Sequence, residues 1–133
     1  MGNKLHLPAK TGNVQALMKI LEDNPKININ SRNKSGNSAL HKAAQYGNID
    51  ICRELVSRGL DVNSKNREGY TALHFAAMKG HTDTVTFLHS LGADIDIRGG
   101  VWGSTPLHWA CIHGHEATIV EVPKIFFRSD FFK

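Results

Sequence analysis

Four side chains able to hold a metal or activate a nucleophile fall within one short run, His-Trp-Ala-Cys-Ile-His-Gly-His: His108, Cys111, His113 and His115. Imidazole nitrogens and a thiolate are ligands that zinc prefers. A cysteine beside a histidine is also the raw material of an activated nucleophile. The rest of the chain accounts for most of this cluster in another way. Leu107-His108 recurs as Leu40-His41 and Leu73-His74, and His115 recurs as His81, each just after a glycine. Cys111 stands where the earlier copies have Ala44 and Ala77, so packing between helices is its expected role. Only His113 is left without a counterpart, and one histidine does not make a metal site. The chain also lacks Gly-x-Ser-x-Gly, a phosphate loop and Cys-x-x-Cys. The expectation is therefore a protein with no metal, no cofactor and no catalytic site.

The elements that position these residues follow from the period. The Leu-His pairs at 40, 73 and 107 are spaced by 33 and then 34 residues, and Gly36, Gly69 and Gly103 keep the same step. So do Gly47, Gly80 and Gly114. Within each copy the glycine suits a tight turn, and Ser38, Thr71 or Thr105 then sits where a helix N-cap accepts from exposed N–H groups. Pro106 takes the first helical position, where its missing donor costs nothing. Leu73, Ala76 and Ala77 share one helical face, Gly80 ends that helix, and a second helix buries Val85 and Leu88. Cys52 and Leu55 are the equivalent core positions one copy earlier. The copies' histidines are expected to bridge the capping hydroxyl and neighbouring backbone.

A period of about 33 residues carrying Thr-Pro-Leu-His identifies the chain, from about Leu5 to Val122, as similar to the ankyrin-repeat family. The resemblance implies an all-α solenoid of about four helix-turn-helix repeats, the first and last irregular. The expected organisation is one domain over residues 1–133, with repeats at about 1–34, 35–67, 68–101 and 102–122 and an irregular tail at 123–133. It also implies a protein–protein binding module, taking another protein or an extended peptide along a concave face of turn tips and first helices. The positions on that face not needed for packing are Lys34, Ser35, Asn37, Gln45 and Tyr46 in the second repeat. The third repeat supplies Arg67, Glu68, Tyr70, Met78 and Lys79. The fourth supplies Val101, Trp102, Ser104, Ile112 and His113, and Trp109 joins the binding face although its ring is expected to pack. Trp102 is expected to project from a turn tip, and Trp109 to lie half covered beside the groove, its N–H within reach of a ligand. Lys34, Arg67 and Lys79 outnumber Glu68 there, which favours an acidic or neutral peptide.

A narrower resemblance rests on Gly99-Gly100 before Ser-Thr-Pro-Leu-His-Trp-Ala, on Gln45-Tyr46-Gly47 and on Cys52-Arg53-Glu54-Leu55-Val56. From roughly Ser38 to Val120 the chain is similar to the ankyrin region of the large Asp-His-His-Cys palmitoyltransferases. That likeness implies a cytosolic module that recruits substrates, with Trp109 matching a groove tryptophan. The chain has no Asp-His-His-Cys motif and no long apolar run, so acyl transfer by the chain itself is not expected.

Composition agrees. The chain has 133 residues, 41% of them hydrophobic, and a net charge of +4. Its cations are scattered, without a run of five, so nucleic acid is not an expected partner. No apolar run nears the roughly 20 residues that span a bilayer, so no membrane insertion is expected. Two cysteines do not make a disulfide scaffold, which fits a reducing, cytoplasmic setting and a monomer.

The ends break the pattern. The first repeat lacks its turn, carries Pro8 in place of an alanine, and presents Leu17, Ile20 and Leu21 as its inner face. Pro123 is expected to break or kink the last helix. The segment after it holds four of the six phenylalanines, and Phe126 and Phe127 are expected to pack on the last repeat. Asn63, similar to a loop asparagine hydroxylated in some ankyrin repeats, is expected to bond its own backbone as a turn residue.

Overall fold

The computed structural model describes the backbone of residues 4–131 and the side chains of residues 4–124. Among these lie eight helices: α1 (His6–Thr11), α2 (Val14–Asp23), α3 (Ala39–Gln45), α4 (Ile49–Ser57), α5 (Ala72–Lys79), α6 (Thr82–Ser90), α7 (Pro106–Ile112) and α8 (Glu116–Phe131). Most are too short to stand alone in water, so packing must hold them. The odd-numbered helices stack in one row, α1 on α3, α3 on α5 and α5 on α7, and each packs on the even-numbered helix that follows it. Alanines set the spacing of the row: Ala43, Ala44, Ala76, Ala77 and Ala110 are wholly buried, and no side chain there is large enough to hold the backbones apart. Leu40, Leu73, Leu55, Val85 and Leu88 fill the space between rows, and Leu17 and Leu21 close it at the first repeat, with Ile20 packed alongside.

Each first helix starts with the same capping device. In α3 the backbone N–H of Ser38 donates to Nδ1 of His41 at 3.1 Å, and in α5 Thr71 does the same to His74 at 3.1 Å. In α7 the pair is Thr105 and His108 at 2.9 Å. The opposite ring nitrogen ties one repeat to the next. His6 Nε2 bonds the Asn37 carbonyl (2.9 Å), His41 Nε2 the Tyr70 carbonyl (3.0 Å) and His74 Nε2 the Ser104 carbonyl (2.8 Å). A second row runs the other way: Asn48 reaches Ala9 O (2.6 Å), His81 reaches Gln45 O (3.0 Å) and His115 reaches Met78 O (2.6 Å). Both rows satisfy carbonyls that a helix end or turn would otherwise leave bare.

Three sequence expectations change here. Cys111 does not pack between helices. It is exposed, whereas Ala44 and Ala77 are wholly buried, because nothing among the described residues stacks on α7 as α5 stacks on α3. Pro123 does not end the last helix: α8 runs through it to Phe131. Proline removes one donor, and Thr118 and Val122, ahead of it on the same helix, are buried. Asn63 bonds the next repeat rather than its own turn, giving Nδ2 to Gly92 O (3.3 Å) and accepting from Asp94 N at 2.8 Å. Asp61 supplies the local turn bond instead, accepting from Asn63 N at 2.9 Å. The expected packing of Phe126 and Phe127 lies outside the residues whose side chains are described.

Candidate functional site

The turns before α3, α5 and α7 form three fingers lying side by side. The first two are pinned by an asparagine. Asn33 Oδ1 accepts from the N–H groups of Ser35 and Asn37, both at 3.0 Å, and Asn66 Oδ1 from those of Glu68 (3.0 Å) and Tyr70 (2.9 Å). The third finger has no such side chain. Gly99 and Ser104 pair their backbones instead, with bonds of 2.9 and 2.8 Å, and Gly100, Val101, Trp102 and Gly103 lie between them. The corresponding span in the first finger is shorter, running Lys34, Ser35 and Gly36 between Asn33 and Asn37. The extra residue therefore lengthens this finger. Val101 and Trp102 stand at its end, 94% and 90% exposed.

The paired glycines have a second reason. A Cβ at Gly99 would run into the carbonyl of Gly69, and one at Gly100 into the hydroxyl of Tyr70. The Tyr70 ring thus lies against the base of the third finger because no side chain occupies that space. From there it meets Trp109 edge to face, with centroids 5.3 Å apart and planes at 86°. Tyr70 also meets the ring of His74 at 5.3 Å. Trp109 stacks in turn on His113 at 5.7 Å, and His113 on His115 at 6.2 Å. His113, the residue without a counterpart, belongs to this aromatic row. Among the described residues no three of His, Cys, Asp and Glu converge as a metal site would require.

Glu68, Tyr70, His74, Phe75, Met78 and Trp109 line a hollow of about 190 Å³ in the groove. Four of these are sequence-derived candidates, brought together from two repeats. His74 reads as a cap in the sequence, and no local signal marks it as lining the groove. Nε1 of Trp109 is buried without a hydrogen-bond partner among the described residues. A buried donor left unpaired costs on the order of 1–3 kcal/mol, so it is a place where an acceptor from outside gains unusually much.

The other candidates take separate places. Lys34, Ser35, Arg67, Val101 and Trp102 occupy the finger tips and are exposed. Asn37 is spent between fingers, accepting from Asn66 Nδ2 at 2.9 Å, and Ser104 gives its carbonyl to His74. Gln45 gives its carbonyl to His81. Tyr46 lies under the ammonium of Lys10, 5.6 Å from its ring centroid, away from the groove. Lys79, Ile112 and His113 are exposed at the ends of α5 and α7.

Burial governs the titrating groups of the stack. It lowers His41 from 6.5 to about 4, with the nearby charge of Arg32 adding to the effect and the bond to Tyr70 opposing it. Burial lowers His74 in the same direction, against its bond to Ser104. The Cys52 thiol is pushed up to about 12, also by burial. A hollow of about 610 Å³ lies apart from the groove, at the exit loop of the first repeat (Asp23 to Asn28, with Lys4 and Ser31), and gathers no finger residues.

Comparison with known proteins supports the repeat fold. The family model described as ankyrin repeats (three copies) matches residues 5–99 and 59–122. The chain is 46% identical over 83 residues to proteins named palmitoyltransferase ZDHHC17 from Danio rerio and Homo sapiens. It is 44% identical over 86 residues to palmitoyltransferase ZDHHC13 from Mus musculus. These matches cover 62% and 65% of the chain but only 13% and 14% of the relatives, so the chain spans about one seventh of the length of the proteins it matches.

Proposed function

From the premise that the chain belongs to the ankyrin-repeat family, we propose that it binds an extended polypeptide along the groove between the fingers and the first helices. The observation that carries this reading is the unpartnered indole N–H of Trp109, buried beside a hollow walled by Tyr70, Phe75 and Met78. An extended peptide offers what the hollow lacks: a compact apolar side chain to fill it and a backbone carbonyl to accept from Nε1. Tyrosine and tryptophan make effective anchors because they bury much area and lose little rotamer freedom. Trp102 and Val101 form a second anchor at the tip of the third finger, with Lys34, Ser35, Arg67 and Glu68 at the neighbouring tips. Gln45, Lys79, Ile112 and His113 flank the path, and Tyr46, under Lys10, stands off it.

The likeness to palmitoyltransferases favours a more specific version. In it the module recruits substrates on the cytosolic side for an acyl-transferring enzyme and does no acyl chemistry itself. No helix among the described residues is long and apolar enough to cross a membrane.

The test is selection of extended peptides from a random library on the immobilised chain, followed by affinity measurement on the wild type and on Trp109→Phe. The phenylalanine keeps most of the ring and removes the donor. A loss of about tenfold or more, the worth of one well-made buried bond, is the expected result. Peptides that bind both proteins equally would remove the groove from the site.

A further inference from the structure

Between the first and second fingers lies another cleft, of about 400 Å³, lined by Arg32, Asn33, Gly36, Lys65, Asn66 and Arg67. It contains three cations and no carboxylate. We propose that this cleft binds a phosphate monoester, carried as a phosphorylated side chain on the bound polypeptide. The identity of the carrier rests on the peptide-binding reading above, whereas the phosphate site rests on the cleft itself.

Two of the three cations, Arg32 and Lys65, are held by neutral groups. Nη1 of Arg32 donates to the Gly36 carbonyl of its own finger at 2.9 Å and to the Lys65 carbonyl of the next at 2.7 Å. Lys65 Nζ donates to the Arg98 carbonyl at 3.1 Å, so positions 32, 65 and 98 form one row of cations along the stack. The Arg67 backbone N–H bonds Ser35 O at 3.1 Å. A Cβ on Gly36 would come within 2.7 Å of that nitrogen and 2.8 Å of Arg67 Cγ, so the glycine leaves the Arg67 stem its place across the first finger. Carbonyls orient a cation and leave its charge intact. The salt bridges among the described residues use Arg53, Arg58 and Lys124 and none of these three.

The geometry therefore presents three positive charges, two of them oriented by carbonyls, in a cleft whose described lining holds no carboxylate. A guanidinium has five N–H donors, and both of the Arg32 bonds come from Nη1. One carboxylate is matched by a single arginine. A phosphate monoester carries about −1.5 to −2 charges and three strong acceptor oxygens, which suits several cations converging on one cleft. The cleft is open to solvent between the two fingers, within reach of a side chain protruding from a polypeptide bound on the neighbouring groove. It also shares the second finger with the groove, since Arg67 is followed by Glu68 and Tyr70 of the groove wall.

The experiment is a titration of the full chain, followed through backbone amide resonances at low salt. The probes are phenyl phosphate, acetate, and vesicles of phosphatidylcholine containing phosphatidylinositol phosphate. Phenyl phosphate is expected to give saturable shifts confined to residues 33–36 and 66–69, weakening as salt is raised. Acetate should bind far more weakly. Arg67→Gln should weaken phosphate binding about tenfold, and Lys19→Gln, an exposed cation on α2, should not change it. If Arg67→Gln does not fold, Lys65→Gln serves in its place and should show a similar loss. Shifts that never saturate, that spread over every surface cation, or that ignore Arg67 and Lys65 overturn the proposal. Arg67-dependent binding to vesicles without binding of phenyl phosphate overturns it in favour of a lipid surface. Phosphate shifts should persist in Trp109→Phe, so loss of the groove reading and loss of this one are separate outcomes.

Discussion

Nε2 of His41 donates to the backbone carbonyl of Tyr70, one repeat further along the chain, at 3.0 Å. On the other side of the ring, Nδ1 accepts the N–H of Ser38. One imidazole thus caps its own helix and ties it to the next, and it can do both only when neutral, with its proton on Nε2. A proton on Nδ1 would face the N–H that it now accepts.

That requirement sets a pH dependence. The native state lowers His41 from 6.5 to about 4, and His74 moves in the same direction. A histidine whose pKa is lowered on folding adds stability that is fully present above its unfolded value. The contribution is lost as pH falls through the window between the two values. For His41 that window runs from about 6.5 down to about 4, and its share of the loss by pH 5 is on the order of 2 kcal/mol. Urea unfolding at pH 7.5 and pH 5 measures it. Equal stability at the two pH values would show that the imidazoles are not held neutral.

Leucine truncations should follow burial along the stack. Leu40 and Leu73 are equally enclosed, and Leu107 is only partly so, with no first helix stacked on its outer side among the described residues. Leu73→Ala and Leu40→Ala are each expected to cost about 2–5 kcal/mol, and Leu107→Ala distinctly less. Denaturant midpoints of the three variants test the order. A Leu107 variant as damaged as the other two would mean that the last repeat is covered more fully than its exposed neighbours indicate.

The two cysteines should separate cleanly. Cys111 is exposed, and Cys52 is buried with its thiol held near 12. An alkylating reagent at neutral pH is expected to label Cys111 in the native chain, and Cys52 only after denaturation, because the thiolate is the reactive form. Peptide mass analysis before and after denaturation reads this directly. Labelling of native Cys52 at a comparable rate would place it outside the core.

The repeat, its caps and its core were legible in the sequence because each is a local device copied in phase. Ser38, Thr71 and Thr105 mark helix starts, Gly80 marks an end, and the 33-residue step aligns them. What was illegible depends on neighbours in space. Cys111 has the same local setting as Ala44 and Ala77, and its exposure depends on what stacks beyond α7. Gly99 and Gly100 read as an inserted residue, yet the space they leave is taken by Tyr70 from the repeat before. Arg32 and Lys65 read as scattered charge, and only the stacking of fingers brings them to one cleft. His74 was accounted for by capping, which hid its share in the wall of the groove.

The glycine pair can be tested against a glycine elsewhere. Gly100 and Gly92 both adopt positive φ, +76° and +101°, so an alanine at either incurs backbone strain of about 1–3 kcal/mol. The added carbon meets nothing within 4 Å at Gly92 but strikes the Tyr70 hydroxyl at Gly100. Gly100→Ala is therefore expected to lose peptide affinity as well as stability, and Gly92→Ala stability alone. Equal affinities in the two variants would show that the position of Tyr70 does not matter to the groove.

The two tryptophans give the sharpest separation of folding from binding. Trp102 is 90% exposed on a finger tip, and its ring enters none of the aromatic pairs around the groove. Removing it should leave the melting temperature nearly unchanged, as surface substitutions do. If the tip is an anchor, the same change weakens peptide binding by about 1–3 kcal/mol, because a rigid exposed indole desolvates a large area on contact. Trp109 is in the opposite position. It joins Tyr70 of one repeat to His113 of its own, so Trp109→Ala removes contacts between repeats as well as a wall of the hollow. That variant should lose both stability and affinity, whereas Trp109→Phe should lose mostly affinity. Calorimetric melting and peptide titration on the three variants suffice. A Trp102→Ala protein that melts early and binds normally would make the third finger a structural strut, and the binding face would shrink to the groove around Trp109.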